Sequence, residues 1–250
     1  MPTSYSVVLI AVAIGIMPVF WWLWFIARRD DLTIGNLNFL IKVFFCGVLV
    51  AIPASIAEVV VIEAETENQI IEVMQRIWFH QQTFFAVITF FSAGIVAFIE
   101  EAAKAIGIVI FLFRRRIETS NDGMMCGMVI GLAFAVTENG VYFASALQSE
   151  NGLELWGIVL LRFLLSTSAH IIYSGIMGTF FAEAKITARN TGKIAYVTLG
   201  FLAPILIHSI FNAFLGSSCG WIIIAIIIAG FAFMWIKYIL NEKKRGIRIR

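Results

Sequence analysis

The stretch ITFFSAGIVAFIEEAAKAIGIVIFLF at residues 88–113 is long enough to cross a bilayer as a helix, although three charged residues interrupt it. A spanning helix needs about 20 predominantly apolar residues. Similar apolar runs recur along the 250-residue chain, which is 60% hydrophobic and 14% charged. Soluble domains carry about 25% charged residues. The composition therefore excludes soluble globular, disordered and disulfide-rich secreted proteins, and it predicts an all-α, polytopic membrane helix bundle.

Seven apolar segments are predicted to cross the membrane. In chain order they are residues 6–27, 37–62, 83–113, 123–147, 155–182, 195–216 and 219–240. We expect one integral membrane domain over residues 1–250, with a four-helix core at 83–216 and a basic tail at 241–250. The first segment is expected to be retained, because no basic residue precedes it and no small-residue cleavage site cleanly follows it.

Basic residues predict the orientation of these spans. Thirteen of the 18 lysines and arginines lie in the tail and in the connections that follow the first, third and fifth spans. The opposite connections carry one basic residue, Arg76, and six glutamates. Because basic connections stay in the cytoplasm, the N-terminus is predicted to be outside and the C-terminus inside.

Polar residues interrupt four consecutive spans. They are Glu100, Glu101, Lys104, Glu138, Asn139, Arg162, His170, His208 and Asn212. A charge at the bilayer centre costs about 2.5–3.5 kcal/mol on insertion scales, so each one needs compensation. At 1.5 Å per residue, the acids and histidines of this set lie about 18–22 Å from the cytoplasmic ends of their spans. We therefore expect one buried site, whereas Glu58, near the outer end of the second span, is interpreted as an interfacial residue.

These residue types suit hydrolysis, and they suit ion coupling as well. A buried carboxylate can act as a general base on water, and two imidazoles with a carboxylate can bind zinc while leaving one position open. The Asn212 amide can donate to a developing oxyanion. An ion-coupled transporter would use the same groups, and a non-catalytic membrane scaffold could retain them. Because consecutive helical residues point about 100° apart, Lys104 is not expected to satisfy Glu100 and Glu101 equally.

Four motifs in this order resemble the PrsW family of intramembrane proteases. They are EExxK at residues 100–104, FxxxEN at 134–139, the intramembrane His170 in SAHIIYSGIMG, and HxxxN at 208–212. The Asp122-Gly123 step and the run FFCGVLVAIP at 44–53 are also similar to that family. The glutamate in the second motif, where the related CAAX prenyl endopeptidase and Abi group has histidine, favours PrsW.

The resemblance implies a CAAX-protease-like core and a catalytic role for the four helices. By it, Glu100 and Glu101 would form the water-activating pair, with support from Lys104. Because adjacent helical residues diverge by about 100°, we predict that Glu100 is the base and that Glu101 orients a neighbouring histidine or the substrate backbone. Glu138, His170 and His208 would face a Zn²⁺ ion, and Asn212 would donate to the oxyanion. A metal-free, glutamate-activated water is the alternative that the resemblance leaves open.

The resemblance also implies a location and a substrate. The protein would lie in the bacterial plasma membrane and perform site-1 cleavage of a single-pass membrane protein such as an anti-sigma factor, under envelope stress. No nucleic-acid partner is expected, and the sequence assigns no oligomeric state. One departure concerns the connection after the first span, which reads Arg28-Arg29-Asp30-Asp31 and lacks the Glu-Pro found in many relatives. Substrate docking is therefore expected to differ.

The basic asymmetry gives a topology that can be tested directly. A reporter fused after residue 118 should be cytoplasmic, because the connection after the third span carries three consecutive arginines. Cysteine accessibility or a pair of compartment-specific reporter enzymes would measure this. A reporter found on the external face would invert the predicted topology.

Overall fold

The computed structural model describes residues 37–66, 81–113, 117–146, 161–215 and 220–244, together with the single position Ala13. The described residues form six α-helices, one π-helical turn and no strand. The helices are α1 (Leu37–Thr66), α2 (Gln81–Leu112), α3 (Ser120–Ala146), α4 (Thr167–Ile186), α5 (Asn190–Phe214) and α6 (Trp221–Lys244). The π-helical turn, Arg162–Ser166, runs directly into α4. The predicted all-α class is confirmed.

The helices have the length and composition of membrane spans. Within the described residues, α1, α3, α5 and α6 each contain a segment long and apolar enough to cross a bilayer. Helix α2 has 32 residues and carries the charged run that interrupts its apolar sequence. The second to seventh predicted spans correspond to α1–α6, while the first, at 6–27, lies outside the described residues. The chain is a polytopic membrane helix bundle.

Helices α3 and α4 touch through their backbones. Three glycines spaced four residues apart form one face of α3, namely Gly123, Gly127 and Gly131. A Cβ atom at Gly127 would overlap the carbonyl oxygen of Ser174, and one at Gly131 would overlap that of His170. At Gly123 the overlap would be with Gly178. Small residues of this kind let membrane helices approach closely, and here the approach ends at His170.

The other helices pack around this pair. On α1, Gly47 faces Ala133 of α3 so closely that a Cβ would lie 2.6 Å from the alanine Cβ. Helix α5 lies against α2, where the Phe98 and Phe201 rings meet edge to face with centroids 5.9 Å apart. Helix α6 packs on α4 through Met234, whose Sδ would lie 2.6 Å from a Cβ at Gly175.

Hydrogen bonds fix the end of the bundle where α2 connects to α3. Thr119 and Asp122 exchange bonds at the start of α3, because the Asp122 carboxylate accepts from the Thr119 backbone at 2.9 Å and the Thr119 hydroxyl accepts from the Asp122 backbone at 3.1 Å. This reciprocal arrangement is a capping box. Lys185 of α4 donates to the carbonyls of Leu112 and Ile117, at 2.6 and 2.9 Å. Asp122 therefore starts the glycine-bearing helix.

A single added methyl group tests the backbone contact between α3 and α4. Gly127→Ala should lower the free energy of unfolding by about 1–3 kcal/mol or more, because the methyl group would overlap backbone that cannot rotate away. Gly140→Ala in the same helix is the matched control, since no atom of the described residues lies within 4 Å of a Cβ there. Equal unfolding curves for the two variants in detergent would contradict the close approach.

Candidate active site

Lys104 lies at the centre of the polar groups in the spans. Its side chain is completely buried. The Nζ atom lies 2.7 Å from Oε1 of Glu101, 3.3 Å from Oε2 of Glu100 and 2.8 Å from Nδ1 of His170. The Phe134 ring faces the ammonium, with its centroid 4.4 Å from Nζ. One ammonium therefore joins α2 to α3 and α4, and it contacts both glutamates, with the shorter bond to Glu101.

The contacts of the two histidines define which nitrogen carries the hydrogen. An ammonium has only donors, so Nδ1 of His170 accepts from Lys104 and Nε2 carries the hydrogen. This Nε2 lies 3.4 Å from Oε2 of Glu138. In His208, Nδ1 donates to Oε1 of Glu101 at 2.8 Å. Within the described residues no donor contacts Nε2 of His208, which lies 3.9 Å from Oε2 of Glu100.

Arg162 closes the site from the π-helical turn. Its guanidinium donates to Oε2 of Glu138 at 2.9 Å and to Oδ1 of Asn139 at 2.8 Å, and it lies 3.6 Å from the Tyr142 ring centroid. The Asn139 amide donates to the Thr167 hydroxyl at 3.1 Å, and that hydroxyl donates to the Arg162 carbonyl at 2.9 Å. π-helical turns often occur at functional sites because they change where side chains point. This one holds Arg162 against both polar residues of FxxxEN.

Glu58 joins the site from α1, contrary to its interpretation as an interfacial residue. One carboxylate oxygen from each of Glu58, Glu100 and Glu138 lies within 4.8 Å of the other two. Oε1 of Glu58 is buried and has no hydrogen-bond partner within the described residues. Ala54, one turn earlier on α1, packs with Phe134, so both positions face α3. Helix α1 therefore supplies a fourth acid to a site that the sequence limited to four later helices.

The charges of the site leave room for a divalent cation. Four carboxylates (Glu58, Glu100, Glu101 and Glu138) lie in one cluster with two basic groups, Lys104 and Arg162. With all four carboxylates ionised, the described groups of this almost entirely buried site would carry two more negative than positive charges. Donor atoms of Glu100, His170 and His208 lie within 4.8 Å of one another. Two imidazoles with one carboxylate form a ligand set typical of catalytic zinc sites, so the residues present fit a metal ion.

Tyr173 and Asn212 differ in their relation to this site. The Tyr173 ring stacks on His208, with centroids 4.8 Å apart, and lies 6.3 Å from the His170 ring. Its hydroxyl is buried without a hydrogen-bond partner in the described part of the chain. The Asn212 side chain is half-buried, and within the described residues it forms no hydrogen bond to the acids or histidines. Of these two side chains, only the phenol packs against a histidine of the cluster within the described residues.

The chain matches the family described as PrsW family intramembrane metalloprotease over residues 35–240. It belongs to the PrsW family of intramembrane proteases. Curated relatives named "Protease PrsW" include one from Halalkalibacterium halodurans, 27% identical over 202 residues, which are 80% of this chain and 81% of the relative. Another, from Clostridioides difficile, is 26% identical over 216 residues, or 86% and 83%. A third, from Shouchella clausii, is 30% identical over 148 residues, which are 59% of this chain and 64% of the relative. No solved structure matches the chain.

The structure brings together six of the seven residues that the sequence predicts for the site. They are Glu100, Glu101, Lys104, Glu138, His170 and His208. The sequence predicts that Glu138 groups with the two histidines. In the structure the acid whose oxygen lies within 4.8 Å of donor atoms of both histidines is Glu100, whereas Glu138 groups with Glu58 and Glu100. The seventh residue, Asn212, does not bond to the cluster within the described residues.

Two functional candidates were missed by the sequence analysis of this PrsW chain. Glu58 is an acid inside an apolar run, which is a signal that the sequence contains. Because Glu58 lies near the predicted end of its span, it was interpreted as an interfacial residue. Tyr173 lies three residues after His170 and therefore on nearly the same helix face. Nothing in the sequence distinguishes this tyrosine from a packing residue.

Proposed function

We propose that this protein is an intramembrane endopeptidase that uses a divalent cation, with Zn²⁺ the best match, to hydrolyse a peptide bond. The observation that carries the proposal is the buried donor set of Glu100, His170 and His208 beside the acid Glu138. Three protein ligands leave one position open for the reaction, as in catalytic zinc sites. When bound, the cation would polarise the scissile carbonyl and make the attacking water more acidic.

Glu100, His170 and His208 are assigned to hold the ion. This assignment replaces Glu138 by Glu100 in the set expected from the sequence, because Glu100 is the acid that approaches both histidines, at 3.7 and 3.9 Å. The carboxylate of Glu138 instead approaches the Nε2–H of His170, at 3.4 Å. Glu138 therefore faces the nitrogen of His170 that carries the hydrogen, not the nitrogen whose lone pair would bind an ion.

Glu138 is assigned to take the proton from water. Oε2 of Glu138 is held by Arg162 at 2.9 Å, which fixes the carboxylate in place. Oε1 is buried and has no hydrogen-bond partner within the described residues, so it is available to a water molecule. A positioned carboxylate of this kind contributes about 10²–10⁴-fold as a general base.

Glu101 is assigned to orient His208. Its Oε1 accepts from Nδ1 of His208 at 2.8 Å and from Lys104 at 2.7 Å. A carboxylate behind a histidine fixes the ring orientation and directs the free Nε2 lone pair toward an ion. This is the orienting role that the sequence analysis predicted for Glu101.

Tyr173 is the donor we assign to the developing oxyanion, in place of Asn212. A buried hydroxyl without a partner costs about 1–3 kcal/mol. That cost is recovered if the substrate supplies the missing acceptor in the transition state. The Tyr173 ring already stacks on His208, which brings the phenol to the proposed ligand set.

The proposed substrate is a single-pass membrane protein of the anti-sigma-factor type, cleaved in the bacterial plasma membrane. Two facts support this: the family is one of intramembrane proteases, and the acids and histidines lie in apolar helices of a polytopic bundle. The proposed catalytic core at 83–216 is extended by α1, since Glu58 comes from that helix. The basic segment at 241–250 is proposed as a cytoplasmic tail.

Paired glutamine variants test the division of roles between Glu100 and Glu138. Glu100→Gln should lose both bound zinc and cleavage, because it removes a ligand. Glu138→Gln should keep zinc and lose about 10²–10⁴-fold in single-turnover cleavage of a single-pass reporter substrate, because it removes the base. Metal content of purified protein and cleavage in detergent micelles are the two measurements.

The same two variants separate the alternatives. If Glu138→Gln loses zinc while Glu100→Gln retains it, the roles are those expected from the sequence. Full wild-type cleavage in the presence of a strong chelator that removes the metal would establish the metal-free mechanism instead. A wild-type protein that cleaves no single-pass substrate would refute the endopeptidase and favour a scaffold.

A second pair of variants identifies the oxyanion donor. Tyr173→Phe removes only the unpaired hydroxyl and should lower kcat about 10²–10³-fold with little change in KM, the usual effect of losing one such donor. Asn212→Ala is the comparison and should change kcat less. A larger loss in Asn212→Ala would return the role to the residue that the sequence predicted.

A further inference from the structure

The Lys104 ammonium contacts Nδ1 of His170, the ring nitrogen through which a metal ion would bind. We propose that a divalent cation binds only after the ammonium has left Nδ1 of His170, so that Lys104 and the ion compete for one nitrogen. The inference rests on the proposed metal-dependent function and concerns how the ion enters the site. Its basis is the 2.8 Å contact from Nζ to Nδ1, together with contacts from Nζ to Glu100 and Glu101 at 3.3 and 2.7 Å.

The competition follows from the single lone pair on each imidazole nitrogen. Nε2 of His170 carries the hydrogen and is directed at Glu138, whereas Nδ1 is the nitrogen that approaches Glu100, at 3.7 Å. Zinc bonds to histidine nitrogen at about 2.0–2.1 Å along the lone pair. An ammonium on the same lone pair at 2.8 Å leaves no space for that bond. One nitrogen therefore serves either the lysine or the ion.

The structure offers the displaced ammonium a place to remain. Its shortest contact is with Glu101, not with His170, and it also faces the Phe134 ring at 4.4 Å. Rotation of the flexible lysine stem can break the contact with His170 and keep the contact with Glu101. The charges then balance, because the retained Lys104, Arg162 and one divalent cation match the four carboxylates of the site.

Arg162 provides a control for the effect of charge alone. It belongs to the same acidic cluster and carries the same charge as Lys104, but its guanidinium contacts Glu138, Asn139 and the Tyr142 ring. Removing either cation makes the site more negative and favours a divalent ion. Only removal of Lys104 also frees the two proposed ligand atoms that its ammonium contacts, Nδ1 of His170 and Oε2 of Glu100. The difference between the two variants therefore measures the contacts of Lys104 with the proposed ligands, and the His170 nitrogen signals described below identify the part that arises at Nδ1.

The test measures zinc affinity of metal-free protein in detergent micelles, by competition with a chromophoric chelator. Lys104→Met should bind zinc at least about ten-fold more tightly than Arg162→Met, the scale of one hydrogen bond to a charged group. Equal affinities, or weaker binding by Lys104→Met, would overturn the proposal. So would the absence of zinc binding in both the wild type and Lys104→Met.

A measurement on the wild type covers the case in which Lys104→Met does not fold. Nitrogen NMR of ¹⁵N-labelled histidine, with the His170 signals assigned from a His170→Asn variant, reports which ring nitrogen carries the hydrogen. In metal-free protein Nδ1 should be unprotonated and Nε2 protonated, and zinc should shift the Nδ1 signal. A hydrogen on Nδ1 before zinc is added, or an unchanged Nδ1 signal when zinc is bound, would refute the competition.

These readouts do not depend on proteolysis. A protein that shows the expected zinc affinities and His170 signals but cleaves no substrate would refute the proposed endopeptidase and support the competition. A protein that cleaves in a zinc-dependent manner, but whose Lys104→Met and Arg162→Met variants bind zinc equally, would keep the endopeptidase and refute the competition.

Discussion

The backbone contact between α3 and α4 is the constraint on which the site depends. The pairing runs antiparallel, with Gly127 against Ser174 and Gly131 against His170. In lipid the hydrophobic effect does not drive helices together, so van der Waals packing between small residues has to supply the attraction. The contact ends at His170, and Phe134 and Glu138 follow on nearly the same face of α3. The position of the imidazole relative to these two side chains is therefore set by glycines up to two turns away.

Charge compensation in a nonpolar surrounding explains why so many polar groups share one place. Two carboxylates 4.8 Å apart repel each other by about 3–4 kcal/mol at an effective dielectric of 20, and Glu58, Glu100 and Glu138 lie within that distance of one another. Lys104 and Arg162 approach this group from α2 and from the π-helical turn. The two basic groups match two of the four acids in charge, and under the proposed function a divalent ion would match the other two.

The sequence predicted the parts of this architecture that depend on distance along a helix. Apolar run lengths predicted the helices, and matched depths predicted that Glu138 and His170 would meet. Glu58 was misplaced because α1 continues for two turns beyond it, to Thr66, so the residue is not at the helix end. Asn212 shares a helix face with His208, but the two residues are about 6 Å apart along the helix axis. That distance is enough to place the Asn212 side chain outside a compact cluster. Which glutamate contacts which histidine depends on the angles at which the helices cross. The spacing of residues along the sequence does not contain that information.

The spacing of EExxK has a geometric meaning in this setting. Adjacent glutamates point about 100° apart, so Glu100 faces the acids of α1 and α3 while Glu101 faces His208 of α5. A lysine three residues after one glutamate and four after the other can reach both, and the contacts of Nζ at 3.3 and 2.7 Å show that it does. One ammonium thus compensates two acids that serve different neighbours. A second acid placed one turn away would share the direction of the first, and His208 would then lack the carboxylate that orients it.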